Sequence, residues 1–231
     1  MTRRELVTSL ASASIFGGIA QAQTPAPAAA GQRQVKPLPF DPTKLRGLSE
    51  KLLRSHYDNN YTGALRRLGQ IETMLAGLPK DAPGFQLKGL KMEELIATNS
   101  VILHEQYFGN LGGSGKASGT IQQAIAKQYG SFDKWEQEFR ATSNALGGGS
   151  GWAILSFNLR DGQLRNYIAF DHTDNVAFGR PILVNDMFEH AYAMDYGAAA
   201  ARYVDAFMDN VNWDECNRRY EEGTKIFGML K

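Results

Sequence analysis

One cysteine, Cys216, stands alone in 231 residues, so no disulfide can form within the chain. Histidine is also scarce, at four residues, and each therefore invites a question about its purpose. Charge of one sign is not in excess. Twenty-five basic residues face 24 acidic ones, for a net charge of +1. No basic stripe interleaved with aromatics is present, which argues against a nucleic-acid partner. Long apolar runs are missing too. No segment approaches the ~20 apolar residues that a spanning helix needs, so no stable membrane insertion is expected. Stability must come from packing or from a bound metal. The 43% hydrophobic content allows a substantial core.

The first residues suggest an address. Arg3 and Arg4 precede a short apolar stretch, "LVTSLASASIFGGIA", which ends near Ala20-Gln21-Ala22. A basic start, a brief apolar segment and a small-x-small end describe a signal peptide over residues 1–22. The paired arginines point to the twin-arginine route and a periplasmic or secreted product. Residues 23–37, "QTPAPAAAGQRQVKP", read as a flexible linker.

Beyond Leu48, apolar residues recur at Leu52, Leu53, Tyr57, Tyr61, Ala64, Leu68 and Ile71, the spacing of an amphipathic helix. "LPKDAPG" at 78–84 breaks it, and a second helical run is expected over about 90–111. Together they make a helical hairpin, assigned to an N-terminal domain over 38–112. The glycine-rich joint "GGSGKASG" follows at 112–119. It fails as a phosphate loop, because Asn110 stands where the first glycine is needed and Ala117 where Ser or Thr is needed. Helices are expected at about 119–129 and 132–146, the second capped by Ser131. Two β-favouring runs flank Asp161-Gly162, a hairpin signal. "RPILVND" reads as a third strand, and two helical segments close the chain. The fold class is α+β: an antiparallel helical hairpin followed by a second domain, 113–231, with a small three-stranded antiparallel sheet.

The four histidines fall at organised places. His56 and His104 sit on the apolar faces of the two hairpin helices. His172 follows the second strand. His190 comes four residues after Asp186, where the third strand gives way to helix. A single buried histidine is more often a hydrogen-bonded core residue than a ligand. Yet three imidazoles and one carboxylate aimed at one seam would suit iron, manganese or zinc. A buried Asp also needs a cation or hydrogen-bond donors to offset its desolvation. The residue pattern alone leaves both readings open.

Five stretches carry a resemblance: "LSEKLLRSHY" (48–57), "LHEQYFGNL" (103–111), "GGGSGWAIL" (147–155), "NDMFEHAY" (185–192) and "NVNWDE" (210–215). In that order they are similar to motifs of the iron/manganese superoxide dismutase family, over roughly residues 37–222. "NDMFEHAY" resembles the family signature Asp-x-Trp-Glu-His-Ala-Tyr most closely. The resemblance implies that His56, His104, Asp186 and His190 bind one Fe or Mn ion per subunit and that superoxide is the substrate. It implies a homodimer or homotetramer in which Glu189 reaches the partner's ligand histidine. It makes Trp152 a wall of the metal pocket, Tyr192 part of an interface network and Tyr107 an aromatic beside the site. Asn60 and Ala64 replace the family's second-turn histidine and its funnel tyrosine. Tyr61, one helical turn before Ala64, is the candidate to fill part of that space. Phe188, Phe108 and Ile154 replace tryptophans. Ser100 stands where iron-type members carry glutamine, and His172 falls near where manganese-type members carry theirs. There His172 is expected to hydrogen-bond solvent at the site. Two other readings stay in view: an exported metal-binding relative with little turnover, and a mononuclear iron oxygenase, for which three histidines leave little room.

Overall fold

A computed structural model describes residues 34–174 and 176–231. The expected signal peptide and most of the expected linker lie outside the described residues. At the linker's end, Lys36 is tied down: its amide donates to the Tyr61 hydroxyl (3.0 Å) and its carbonyl accepts from Tyr57 (2.7 Å).

The hairpin is built as expected, with one irregularity. α1 (Glu50–Ser55) is capped by Ser49, whose hydroxyl accepts from the Leu52 amide at 3.1 Å. His56–Tyr61 form a π-helical turn, and α2 (Thr62–Ala76) completes the arm. The Thr62 amide reaches back to the Tyr57 carbonyl, five residues earlier, so one extra residue is wound into the helix. That insertion turns both His56 and Tyr61 into the interior, where each is only 1% exposed. The returning helix α3 (Gly84–Gly109) begins earlier than its apolar spacing indicated. Its first turns carry exposed Phe85, Leu87 and Met92, so burial does not mark where it starts. Ala97, Val101, His104 and Phe108 recur at three- and four-residue spacing and face α1 and α2.

The second half opens with α4 (Gly119–Tyr129) and α5 (Phe132–Asn144), the latter capped by Ser131 as its sequence predicts. β1 (Trp152–Asn158), β2 (Leu164–Ala169) and β3 (Gly179–Asp186) form an antiparallel sheet in the order β2-β1-β3. Gly162 takes φ +71°, which the turn after Asp161 requires. Pro181 lies on edge strand β3, beside a bulge in the pairing at Leu155/Ser156. The helices α6 (Ala193–Tyr196), α7 (Ala200–Asp209) and α8 (Trp213–Met229) follow, and α8 runs past Gly223. Trp135, Phe139, Phe132 and Trp213 form an aromatic knot between α5 and α8. The three buried rings, Trp135, Phe139 and Trp213, contribute about 2–3 kcal/mol each, and the half-buried Phe132 less.

The two halves are stapled at Arg219, whose side chain is 3% exposed. Its guanidinium donates to the carbonyls of Gln106 on α3 (3.0 Å) and Ile182 on β3 (3.1 Å), and to Glu215 (2.8 Å). Gly109 must lack a side chain, because a Cβ there would meet Arg219 Nη2 at 2.6 Å. Asn110 adds a second staple, accepting from the Val184 amide at 2.9 Å. The closing motif at 210–215 holds the glycine joint, whose Gly113 and Gly115 amides donate to Asn210 and Val211 carbonyls. These staples hold the strand corner that ends at Asp186 against the helices that carry His56 and His104. Arg219→Met removes the guanidinium from the Ile182 and Gln106 carbonyls and from Glu215 and is expected to lower stability by about 3 kcal/mol, read as a lower urea midpoint at unchanged slope.

Candidate metal centre

Asp186 is the last residue of β3 and is fully buried. The chain turns immediately after it, and the Phe188 amide donates to Asp186 Oδ1 at 2.9 Å. That bond occupies one carboxylate oxygen and directs the other, Oδ2, into the seam between the halves. Three imidazole Nε2 atoms converge on Oδ2: His56 at 3.0 Å, His190 at 3.2 Å and His104 at 3.7 Å. One donor atom from each of the four residues lies within 4.8 Å of all the others.

Hydrogen bonding accounts for only part of this cluster, the approach of His190 Nε2 to Asp186 Oδ2. His56 Nε2 and His104 Nε2 are buried without a hydrogen-bond partner, despite their closeness to the carboxylate. Orphaned buried nitrogens are costly. On His104 the other ring nitrogen, Nδ1, bonds to the Ser100 carbonyl at 2.7 Å, which places the proton on Nδ1 and leaves the Nε2 lone pair facing the centre. One cation at that point would satisfy the orphans and the carboxylate together. The donor set, three neutral nitrogens and one anionic oxygen, fits iron or manganese.

Electrostatics agrees. Burial pushes the His104 imidazole down to about 3, and burial lowers His56 as well. Both are neutral at pH 7 and able to ligate. Burial alone would raise Asp186, but His190 and His56 outweigh it and hold its carboxyl well below the usual carboxylate range.

An aromatic sleeve surrounds the ligands. Tyr107 and Phe108 lie 5.0 Å from the His56 ring, Trp152 stands 5.2 Å from His104, and Phe188 stacks 5.4 Å from His190. Of the four residues, His190 alone reaches solvent, with 28% of its side chain exposed. Glu189, its neighbour, is exposed.

The remaining expected site residues fall at different depths. His172 is not among the converging donors. Its ring lies behind them, 6.2 Å from His104, 5.6 Å from Trp152 and 4.8 Å from Phe188. Its Nδ1 lies 3.4 Å from Asp171, and Asn99 holds its carbonyl at 2.6 Å. Tyr61 faces elsewhere: its hydroxyl donates to Glu105 (3.1 Å) and accepts from the Lys36 amide. Asn60 is half-buried on the π-helical turn, and Tyr192 is buried, stacked 5.4 Å from Tyr203. Two residues act here that the sequence did not single out for these tasks. Ser100 orients His104 through its carbonyl, an i−4 relation visible in the helix spacing. Tyr203 on α7 donates to the Asp186 carbonyl at 2.7 Å, and no local pattern links positions so far apart.

Fold and site together define a protein with a cluster of three histidines and one aspartate, able to hold one metal ion, at the seam of a helical and an α+β half. Residues 117–219 match the model of the C-terminal domain of iron/manganese superoxide dismutases. The chain is 54% identical over 188 residues to an iron superoxide dismutase of Cupriavidus metallidurans, covering 81% of this chain and 95% of the relative. It is 33% identical to an iron superoxide dismutase of Aquifex pyrophilus, covering 82% and 92%. It is 32% identical to a manganese superoxide dismutase of Haloferax volcanii, covering 84% and 98%. The chain belongs to the iron/manganese superoxide dismutase family.

The buried imidazoles predict an acid-sensitive apoprotein. Their folded values lie below the ordinary histidine value near 6.5. The unfolded chain therefore binds more protons, and stability falls as pH drops from about 6.5 towards 3. The loss is about 1.4 kcal/mol per pH unit for each group that titrates only when unfolded. Urea unfolding of metal-free protein between pH 7 and 4 should show this decline, and His104→Leu should flatten it.

Proposed function

We propose that the protein is a superoxide dismutase that converts two superoxide ions and two protons into dioxygen and hydrogen peroxide at the centre formed by His56, His104, Asp186 and His190. The carrying observation is the convergence of three imidazole Nε2 atoms on Asp186 Oδ2, two of them buried without a partner. Iron or manganese, when bound, supplies two adjacent oxidation states for taking an electron from one superoxide and giving it to another. The residues of the chain set the conditions. Asp186 brings the ligand set's one negative charge, which favours the higher oxidation state. Trp152, Tyr107, Phe108 and Phe188 keep the surroundings apolar and of low dielectric, which strengthens the effect of that charge. The opening beside His190 suits a small anion.

His172 and Trp152 are assigned to hold solvent in the pocket behind His104. Trp152 Nε1 is a buried donor with no protein partner, and the His172 ring lies 5.6 Å from the same indole, nearly perpendicular to it. Tyr61 is not assigned to proton relay in this reading, because Lys36 and Glu105 occupy its hydroxyl. Ala64 offers no hydroxyl either, so proton delivery falls to solvent. A second reading, a metal-binding relative with little turnover, is favoured by that same absence at Ala64.

Glu189 is assigned to a homodimer contact, with Glu189 of one copy bracing His190 of the other; Tyr192, expected there too, is buried against Tyr203 within the chain and is not assigned to that contact. Support for the contact is the exposure of Glu189 beside His190, the one of the four residues that reaches solvent. Residues 1–22 are assigned to twin-arginine export, which carries folded proteins and so permits metal loading before release to the periplasm or beyond.

Protein loaded with one equivalent of iron or manganese should dismutate superoxide in stopped-flow measurements, and His104→Ala should lower the rate at least 100-fold. Loaded protein without turnover would favour the metal-binding alternative. Glu189→Ala should shift the protein towards monomer in light scattering at micromolar concentration, with the chain still folded. A reporter fused to residues 1–37 should leave the cytoplasm only while Arg3 and Arg4 are intact.

A further inference from the structure

Tyr203 lies outside the five motifs, on α7, yet it makes the shortest side-chain hydrogen bond to the Asp186 backbone. Its hydroxyl donates to the Asp186 carbonyl at 2.7 Å and lies 3.0 Å from Asn185 Oδ1. The Tyr107 hydroxyl is 3.3 Å away. Tyr203 is fully buried and its ring stacks on Tyr192, so bulk water does not compete for its single proton. Asn185 is fastened on its other side, its Nδ2 donating to Ser143 at 3.2 Å. The Met187 amide donates to Gly151 at 2.9 Å. The peptide that carries Asp186 is thus clamped from the sheet and from α7.

We propose that Tyr203 is a positioning residue for the metal ion. By holding the Asp186 carbonyl it sets the direction from which Oδ2 meets the centre, and it links that direction to Tyr107, which packs on His56. Two ligands from opposite halves are thereby aligned by one pair of phenols. Small rotations of a ligand carboxylate change bond length and ligand field, so the phenol acts on the ion without touching it. The inference rests on the reading that the four residues bind iron or manganese.

The test compares iron-loaded wild type with Tyr203→Phe. The variant keeps the ring and removes the donor. It should bind one iron per chain, show a ferric EPR signal of altered rhombicity, and release iron to a chelator about 10-fold faster. Tyr107→Phe leaves the Asp186 bond in place and should shift the EPR signal less. An unchanged signal and release rate in Tyr203→Phe would overturn the inference, as would an equal shift in Tyr107→Phe. Should Tyr203→Phe not fold, 3-fluorotyrosine at position 203 keeps the shape and strengthens the donor. An altered signal there supports the inference, and an unchanged one overturns it. Wild type that takes up no iron defeats the metal reading itself, which separates that failure from this one.

Discussion

A carboxylate with no exposure to water must be compensated, and the compensation of Asp186 shapes this molecule. Taking such a charge out of water costs several kcal/mol unless partners stand ready. One of its oxygens is satisfied by the Phe188 amide. The other meets the Nε2 atoms of three imidazoles; burial keeps His56 and His104 neutral, and their Nε2 atoms lack a hydrogen-bond partner. His190 and His56 offset the burial of that charge, but two imidazole nitrogens stay without a partner. A cation among them would satisfy those nitrogens and the carboxylate together. Binding energy at this seam is also folding energy, because two ligands come from each half.

That dependence explains where the architecture is most constrained. His56 belongs to the helical hairpin through a π-helical turn and His104 through the α-helix α3, and the two rings meet 5.0 Å apart and nearly perpendicular. Asp186 and His190 arrive from a strand end and a single 3-10 turn. No local interaction brings these pairs together. Arg219 and Asn110 do so by bonding α3 to β3, and a small residue at Gly109 admits the guanidinium. A centre that needs tenths of an ångström is held by hydrogen bonds to backbone carbonyls and amides, which move less than side chains.

Much of this was legible in the sequence, for identifiable reasons. Strand 180–186 and the turn at Asp161-Gly162 follow from β-favouring residues and the φ that glycine permits. Asp186 and His190 four apart, and His56 and His104 on apolar helix faces, foreshadowed the cluster. What stayed hidden depends on tertiary contact. The π-helical turn has no residue signature. The first turns of α3 carry exposed apolar residues, so their periodicity does not announce a start. Tyr61 looked able to lean towards the site, but Lys36 and Glu105 draw its hydroxyl away. Tyr203 acts across 17 residues on a backbone carbonyl, a relation that no spacing rule records. His172 fell between these cases, since its loop had no regular pattern to fix its depth.

The central claim is that one ion sits where Oδ2 of Asp186 and three Nε2 atoms meet. The most direct measurement is a crystal structure of protein loaded with iron or manganese, with anomalous data collected on both sides of the metal's absorption edge. One edge-dependent peak per chain, within bonding distance of His56, His104, Asp186 and His190, is the predicted result. A peak bound elsewhere, or none in protein that retains its metal in solution, would contradict it.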